Sequence, residues 1–204
     1  MSTNHSATYL AAAARLAEET SAETLDAMAD GLAAVRERGG RLFILGVGGG
    51  AGHAGHAVND FRKLCHLESY APSDNVSELT ARTNDEGWDT TYVEWLRTSR
   101  ISDKDGVLVF SVGGGSREHN VSVNLCNALD LAKERGASIY GIVGHPGGTT
   151  AELSDVVLTV PAPPELRTPL VESFQALLWH GLVSHPTLAA QAGKWESLTT
   201  AQAK

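Results

Sequence analysis

Two groups of polar residues have a spacing that suits acid–base or metal chemistry. His56 and Asp60 are four residues apart, so both point the same way from a helix. Such a pair can hold one metal ion or act as acid and base, although ordinary exposed helix pairs share this spacing. Glu172, Gln175 and His180 interrupt a largely apolar segment, which makes them candidates for a shared polar pocket.

The spacing within the second group leaves its chemistry open. Glu172 and His180 are eight residues apart, which rotates them by about 80° and separates them by about 12 Å along a helix. They can share a metal ion only if it lies between them and both side chains are extended. Otherwise they serve neighbouring sites, or different subunits supply them.

Two glycine-rich loops, at 46–52 and 111–116, each follow an apolar run and precede a helical pattern. A helix N-terminus offers unpaired N–H groups and a favourable dipole to an anion, so the pair of loops predicts a phosphate site. Close strand–helix packing is the alternative for the first loop, which is neither a P-loop nor a convincing dinucleotide fingerprint. In the second loop, Ser111 is expected at the strand end and Ser116 at the helix N-cap.

An alternation of strands and helices must position these residues. Segment 75–100 is expected to form two short helices around a polar turn that can line a site. The alternation predicts one doubly wound, flavodoxin-like α/β domain with a parallel sheet, helices on both faces and an N-terminal helical pair. Strands are predicted at 41–45, 106–110, 138–143 and 156–160, and helices at 7–17, 21–38, 52–64, 117–135 and 168–184.

Composition limits the partners. The 204 residues suit one domain with a full core, and the net charge of −8 argues against general affinity for nucleic acid or anionic membranes. No apolar run is long enough to span a bilayer, and the N-terminus lacks a signal-peptide pattern. Cys65 and Cys126 resemble neither a disulfide framework nor a metal knuckle. A reducing, cytoplasmic location is expected.

The loops and both polar groups together resemble the SIS (sugar isomerase) domain proteins, most closely the phosphoheptose isomerases, along nearly the whole chain. That family converts sedoheptulose 7-phosphate to D-glycero-D-manno-heptose 7-phosphate. The resemblance implies a sugar-phosphate isomerase that forms a homotetramer with sites at subunit interfaces. It divides the chain into N-terminal helices (1–40), a SIS domain (41–186) and a C-terminal tail (187–204).

The resemblance also implies a set of site residues. The family has His and Glu four residues apart after the first loop, and Gln and His eight apart on a late helix. The matching residues, which the resemblance implies bind zinc or a similar divalent ion, are His56, Asp60, Glu172 and His180. The family's Asn-Asp-x-Gly turn and serine-rich loop complete the implied substrate site, which comprises Gly48, Gly49, Gly50, Asn84, Asp85, Ser111, Gly113, Gly114, Ser116 and Glu172.

The chain departs from the family pattern in both loops and in both helices. The first loop reads Gly-Val-Gly-Gly-Gly where the family usually has Gly-Asn-Gly-Gly-Ser, and the second also lacks common hydroxyl residues. Phosphate is therefore expected to depend more on backbone N–H groups, Ser111 and Ser116. Asp60 is one methylene shorter than Glu, and Glu172 is charged where the family has a neutral Gln. A more anionic site should hold a divalent ion more tightly.

Aldose–ketose isomerisation moves a proton between C1 and C2 through an enediol, which needs a base and an acid. The resemblance assigns these roles to Asp60 and His180, on opposite sides of the substrate. One alternative is a non-catalytic module that senses a sugar phosphate, or an adaptor like the SIS-domain regulator of bacterial replication initiation. Another is an isomerase for a different ketose phosphate or an amino sugar phosphate. Retention of all four ionisable residues favours an enzyme.

Overall fold

A computed structural model of the chain describes residues 4–202. Its centre is one parallel sheet of five strands in the order β2-β1-β3-β4-β5. This is the flavodoxin-like doubly wound order, so the predicted fold class is confirmed. The strands are β1 (Leu42–Gly46), β2 (Ser69–Tyr70), β3 (Gly106–Ser111), β4 (Ser138–Gly144) and β5 (Val156–Val160). The sequence did not predict β2, because two residues carry no apolar run.

The helices follow the predicted alternation with a few differences in their bounds. Within residues 4–202, no helix combines the length and the hydropathy that crossing a membrane requires. The helices are α1 (His5–Glu19), α2 (Ala22–Glu37), α3 (Gly49–Cys65), α4 (Val76–Asp85), α5 (Thr91–Thr98), α6 (Val123–Glu134), α7 (Gly148–Leu153), α8 (Arg167–Ser184) and α9 (Lys194–Gln202).

The sheet is covered on both faces because its strands alternate their side chains between two cores. On β1, Leu42 and Ile44 face one core, whereas Phe43 and Leu45 face the other. The first core is completed by α1, α2, α3 and α8, and the second by α5 and α6. The N-terminal helical pair is thus part of the main core, and α3 and α8 lie on the same side of the sheet.

Around the second glycine loop, the structure corrects the prediction. The helix expected from residue 117 begins only at Val123, and Ser122 is its N-cap residue. Before it, the backbone N–H and C=O of Ser116 pair with those of Val121 at 2.8 and 2.9 Å. Because this antiparallel bridge occupies the backbone of Ser116, the residue is not the N-cap.

The opposite, amino-terminal end of the sheet is held by a buried ion pair. Arg41 precedes β1 and Asp105 precedes β3, and a guanidinium nitrogen of Arg41 lies 2.9 Å from a carboxylate oxygen of Asp105. The backbone N–H and the hydroxyl of Ser102 donate to the same carboxylate. The beginnings of two neighbouring strands are therefore tied together at one carboxylate.

Candidate active site

Three ionisable side chains converge where α3 and α8 pack side by side. Nε2 of His56 and Nε2 of His180 lie 3.4 and 3.5 Å from Oδ2 of Asp60. The three potential ligand atoms are all within 4.8 Å of one another. Asp60 is buried, whereas about half of each imidazole is exposed. The site is therefore an anionic centre with two imidazoles open on its outer side.

Two hydrogen-bond donors, one on α3 and one on α8, hold the Asp60 carboxylate in place. The indole N–H of Trp179 donates to Oδ2 at 3.3 Å, and the amide of Asn59 donates to Oδ1 at 2.9 Å. Trp179 is fully buried between the helices. The carboxylate is thus drawn towards α8, which brings it within reach of His180.

The orientation of His180 follows from its contact with the backbone. Its Nδ1 lies 2.7 Å from the carbonyl oxygen of Ala176, one turn earlier on α8. Because a carbonyl oxygen only accepts hydrogen bonds, Nδ1 carries the proton. The lone pair of a neutral His180 is then on Nε2, the atom that faces Asp60.

The donor set fits a divalent metal ion. Two imidazole nitrogens and one carboxylate oxygen are ligands that zinc prefers. In a tetrahedral site with bonds of 2.0–2.1 Å, ligand atoms are about 3.3 Å apart, close to the 3.4 and 3.5 Å separations from Asp60. A shared cation would also relieve the approach of two lone pairs to one carboxylate oxygen.

The fourth predicted ligand, Glu172, does not belong to this group of three. A Cβ atom placed on Gly49 would lie 2.5 Å from Oε1 of Glu172, so the carboxylate faces the first glycine loop. The separation of residues 172 and 180 along α8 explains the difference, and a metal role for Glu172 stays a prediction. The expected placement of Asp60 and His180 on opposite sides of the substrate is wrong, because the two side chains are 3.5 Å apart.

A cavity of about 230 Å³ lies between the two glycine loops and α8. The amino-terminal end of α3 and the residues just before α6 form part of its wall. Most predicted loop residues line it. The lining consists of Val47, Gly48, Gly49, Gly50, Ser111, Val112, Gly113, Val121, Ser122, Glu172 and Gln175.

Several predicted binding residues lie away from this cavity lining. Gly114 has φ +73° and packs so closely on Gly147 that a Cβ atom would clash with its carbonyl oxygen. It therefore shapes the second loop, with the Thr150 hydroxyl donating to its carbonyl oxygen. Asn84 and Asp85 are exposed at the end of α4, where the Asn84 amide donates to the Asp85 carboxylate. Their assigned contact with the sugar, like that of Ser116, stays a prediction.

Two residues next to the glycine loops were not predicted from the sequence. Ser122 takes the place at the start of α6 that was expected for Ser116, and the only sequence signal was a serine just before the apolar helical pattern. Tyr92 on α5 donates its hydroxyl to the carbonyl oxygen of Gly46 at 2.6 Å, which fixes the end of β1. Burial raises the pKa of Tyr92 to about 12, so its hydroxyl remains a donor at neutral pH.

Half-buried His53 lies between the cavity and the three-residue group. Its ring is 5.0 Å from the Trp179 ring, measured between centroids. Burial lowers the pKa of His53, and the charge of Glu172 opposes that shift. The aromatic pair separates Glu172 from Asp60, so the two glycine loops and the group of His56, Asp60 and His180 lie at successive positions along the same two helices.

Known proteins are similar to this chain in sequence and in fold. Phosphoheptose isomerase from Burkholderia pseudomallei (strain 1710b) is 30% identical over 187 residues, which are 88% of this chain and 90% of that protein. The chain belongs to the phosphoheptose isomerase family. No protein-family model matches it. The chain is also 36% identical over 183 residues to the lincomycin biosynthesis protein LmbN of Streptomyces lincolnensis. It spans 65% of the length of LmbN.

The solved structure of phosphoheptose isomerase GmhA from Neisseria gonorrhoeae superposes with a TM-score of 0.77 at 26% sequence identity. The match covers 88% of this chain and 96% of that one. As a member of the phosphoheptose isomerase family, the chain has the SIS fold of a sugar-phosphate isomerase. The family assignment favours the enzyme over the non-catalytic alternative.

Proposed function

We propose that the chain interconverts sedoheptulose 7-phosphate and D-glycero-D-manno-heptose 7-phosphate through an enediol. The observation that carries the proposal is the convergence of His56, Asp60 and His180 on α3 and α8, the two helices whose earlier residues line the cavity between the glycine loops. The names of the relatives supply the substrate, since the Burkholderia and Neisseria proteins are phosphoheptose isomerases. The name of LmbN gives a pathway, lincomycin biosynthesis, and no substrate.

Phosphate binding is assigned to the donors around the second loop. The hydroxyls of Ser111 and Ser122 line the cavity, and the N-terminus of α6 lies immediately behind Ser122. Backbone N–H groups and the helix dipole favour an anion at this place. N–H groups of both loops are already bonded within the chain, those of Gly50, Ala51 and Gly52 in the first and those of Gly114 and Ser116 in the second, so the serine residues distinguish the second loop. The second loop is therefore the principal phosphate site of the proposal.

Asp60 and His180 exchange the protons of the reaction. In the ketose-to-aldose direction, Asp60 removes a proton from C1, the C1–C2 double bond forms, and O2 receives a proton from His180 in its imidazolium form. His180 Nε2 then takes the proton from O1 while the enediol collapses to the C1 aldehyde. Asp60 returns its proton to C2, so both residues end in their starting states. Because the two groups are adjacent, they act from one side of the substrate.

Zinc, or a similar divalent ion, is part of the proposal. His56, Asp60 and His180 would hold it, with Glu172 as the predicted fourth ligand. Because a ring nitrogen that binds a metal ion carries no proton, His180 acts as the acid of the proposal only while its Nε2 is not a ligand. Polarisation of the substrate carbonyl and hydroxyl oxygens is the chemistry that such a bound ion supplies. The Trp179 and Ala176 contacts with Asp60 and His180 keep both side chains oriented with or without it.

The proposal includes a cytoplasmic homotetramer with sites at subunit interfaces, and it keeps the divisions 1–40, 41–186 and 187–204. Leu10 on α1 and Leu177 on α8 are apolar and exposed, which supports burial of these helix faces in an assembly. The exposed sides of His56 and His180 leave room for a neighbouring subunit to contribute to the site. The acidic net charge supports the absence of a nucleic-acid or membrane partner.

The deciding experiment is an incubation of the purified protein with sedoheptulose 7-phosphate, with added zinc and, separately, with a chelator. We expect an aldoheptose 7-phosphate to appear and its formation to fall in the chelated sample. Conversion of a different ketose phosphate alone would correct the substrate. Absence of any isomerisation under every metal condition would overturn the enzymatic assignment.

A further inference from the structure

Gln175 places a carboxamide in an otherwise apolar part of α8, against the floor of the cavity. The residue is completely buried and contributes to the cavity lining. Its Nε2 donates to the backbone carbonyl oxygen of Ile142 in β4 at 3.1 Å. Because that carbonyl oxygen can only accept, the amide cannot be turned around, and Oε1 is fixed on the opposite side.

Oε1 of Gln175 has no hydrogen-bond partner within the described part of the chain. A buried carbonyl oxygen without a donor destabilises a protein, and native structures rarely tolerate one without a functional reason. An apolar residue would pack here at no such cost, as neighbouring Phe174 and Leu178 do. Because Gln175 contributes to the wall of the cavity, a ligand that enters the cavity can supply the missing donor.

The distribution of donors and acceptors indicates which part of a ligand that is. Ser111 and Ser122 bring hydroxyl donors to one side of the cavity, whereas α8 brings the Glu172 carboxylate and the Gln175 carbonyl. Above pH 7 a phosphate monoester is predominantly a dianion and has no proton to donate. It therefore cannot satisfy either acceptor on α8. A sugar hydroxyl can satisfy both.

We propose that Gln175 is a specificity residue whose Oε1 accepts a hydrogen bond from one hydroxyl group of the substrate's carbon chain. With Glu172 it orients the chain, so that hydroxyl groups face α8 and the phosphate faces the second glycine loop. The inference rests on the proposed function, because it requires a phosphorylated polyhydroxy substrate in this cavity.

The first test compares the wild type with Gln175→Met, which keeps the side-chain length and removes the polar group. With sedoheptulose 7-phosphate at pH 8, KM should rise roughly ten- to hundredfold while kcat changes by only a few fold. The inhibition constant of inorganic phosphate should stay unchanged, since phosphate binds at the other side. The matched control is Gln191→Met. It removes a similar hydrogen bond, from the side-chain amide of exposed Gln191 to the backbone carbonyl oxygen of Lys63, and should leave KM unchanged.

The second test uses sedoheptulose 7-phosphates that each lack one hydroxyl group. When the missing hydroxyl is the one that Gln175 contacts, the wild type should bind the deoxy substrate more weakly than sedoheptulose 7-phosphate. Gln175→Met should bind both substrates with the same affinity, because it has already lost this hydrogen bond. Fully additive losses at every position would overturn the inference, as would a normal KM in Gln175→Met. A purely structural residue would instead weaken sugar and phosphate binding alike.

Two further outcomes are kept distinct. If Gln175→Met shows no cooperative thermal transition, Gln175→Asn replaces it, because it retains the amide and withdraws the carbonyl by one methylene. A raised KM in that variant supports the inference, and a wild-type KM overturns it. If the wild-type protein isomerises no sugar phosphate, the proposed function and this inference are both overturned. If the wild type is active and substitution of Gln175 leaves KM unchanged, only the inference is overturned.

Discussion

Two regions of the molecule, the amino-terminal end of the sheet and the candidate site along α3 and α8, differ in how their buried polar groups are hydrogen-bonded. At the amino-terminal end, the Asp105 carboxylate accepts five hydrogen bonds from Arg41 and Ser102. In the candidate site, the Asp60 carboxylate faces two imidazoles whose ring nitrogens can accept as well as donate, and Gln175 keeps an oxygen without a donor in the described residues.

This difference separates stability from function. A carboxylate that is saturated with donors lowers the free energy of the folded state and has no bonding capacity left for a ligand. Buried polar groups that lack a hydrogen-bond partner lower the stability of the folded chain, and they are retained where a substrate or a metal ion can bind them. Substitutions in the two regions should therefore change different measured quantities.

The largest effect is expected in the candidate site. Asp60→Asn and His180→Ala should each lower kcat roughly 10²- to 10⁴-fold, because each removes a proton-transfer group. The thermal midpoint should change little, since Asn can still accept from Trp179 and since His180 is half exposed. Steady-state kinetics and thermal melts on the same preparations check both expectations.

Another histidine–aspartate pair serves as the control for these two variants. His185, just beyond the end of α8, lies 3.2 Å from the Asp26 carboxylate and contacts neither the cavity nor Asp60. His185→Ala and Asp26→Asn should keep wild-type kcat. If they lose as much activity as the site variants, the assignment of acid–base roles to Asp60 and His180 is wrong.

The amino-terminal end should show the reverse behaviour. Asp105→Asn should lower the free energy of unfolding by about 2–4 kcal/mol, because it leaves the partly buried Arg41 without its counter-charge. The kinetic constants should remain near wild type at a temperature where the variant is folded. Urea unfolding measures the loss, and Glu94→Gln, which breaks an exposed pair with Arg97, should cost no more than about 0.5 kcal/mol.

The same carboxylate gives this end a pH dependence. Burial alone would raise the pKa of Asp105, but the hydrogen bonds and charge of Arg41, with the N–H of Ser102, lower it overall. The ionised form thus stabilises the fold above the unfolded pKa of about 3.9, and the contribution is lost as the pH falls through the folded pKa. The stability gap between wild type and Asp105→Asn should narrow between neutral pH and about pH 3. A gap independent of pH would show that the charge of Asp105 is not responsible.

The sequence predicted elements better than contacts between them. Continuous apolar runs identified four strands, and the spacing of His56 and Asp60 put both on one helix face. The bridge between Ser116 and Val121 was not predictable, because a charged segment before an apolar helix has the same pattern as a helical turn. The position of Ser122 at the cavity followed from that bridge.

Geometry between elements explains the remaining differences at the site. The adjacency of Asp60 and His180 depends on Trp179, which bridges α3 to α8 from inside the core. The separation of Glu172 from the group of three follows from the direction of α8 across the sheet. Hydrogen-bond saturation likewise becomes visible only when both partners are placed, so sequence could nominate Gln175 for a polar pocket without revealing its free oxygen.

The smallest effect is expected from one substitution in the first glycine loop, which should change substrate binding with little change in the stability of the fold. In Gly49→Ala, the new methyl group would meet the Glu172 carboxylate, whose end can move aside. We expect about a tenfold loss in kcat/KM, in line with the cost of one charged hydrogen bond, and a nearly unchanged thermal midpoint. In Gly50→Ala, the methyl group would meet the rigid carbonyl oxygen of Phe110, so stability should fall. Gly52→Ala, with open space around it, should keep wild-type kinetics. If Gly49→Ala loses stability but retains activity, then the position of Glu172 matters for the fold and not for the substrate.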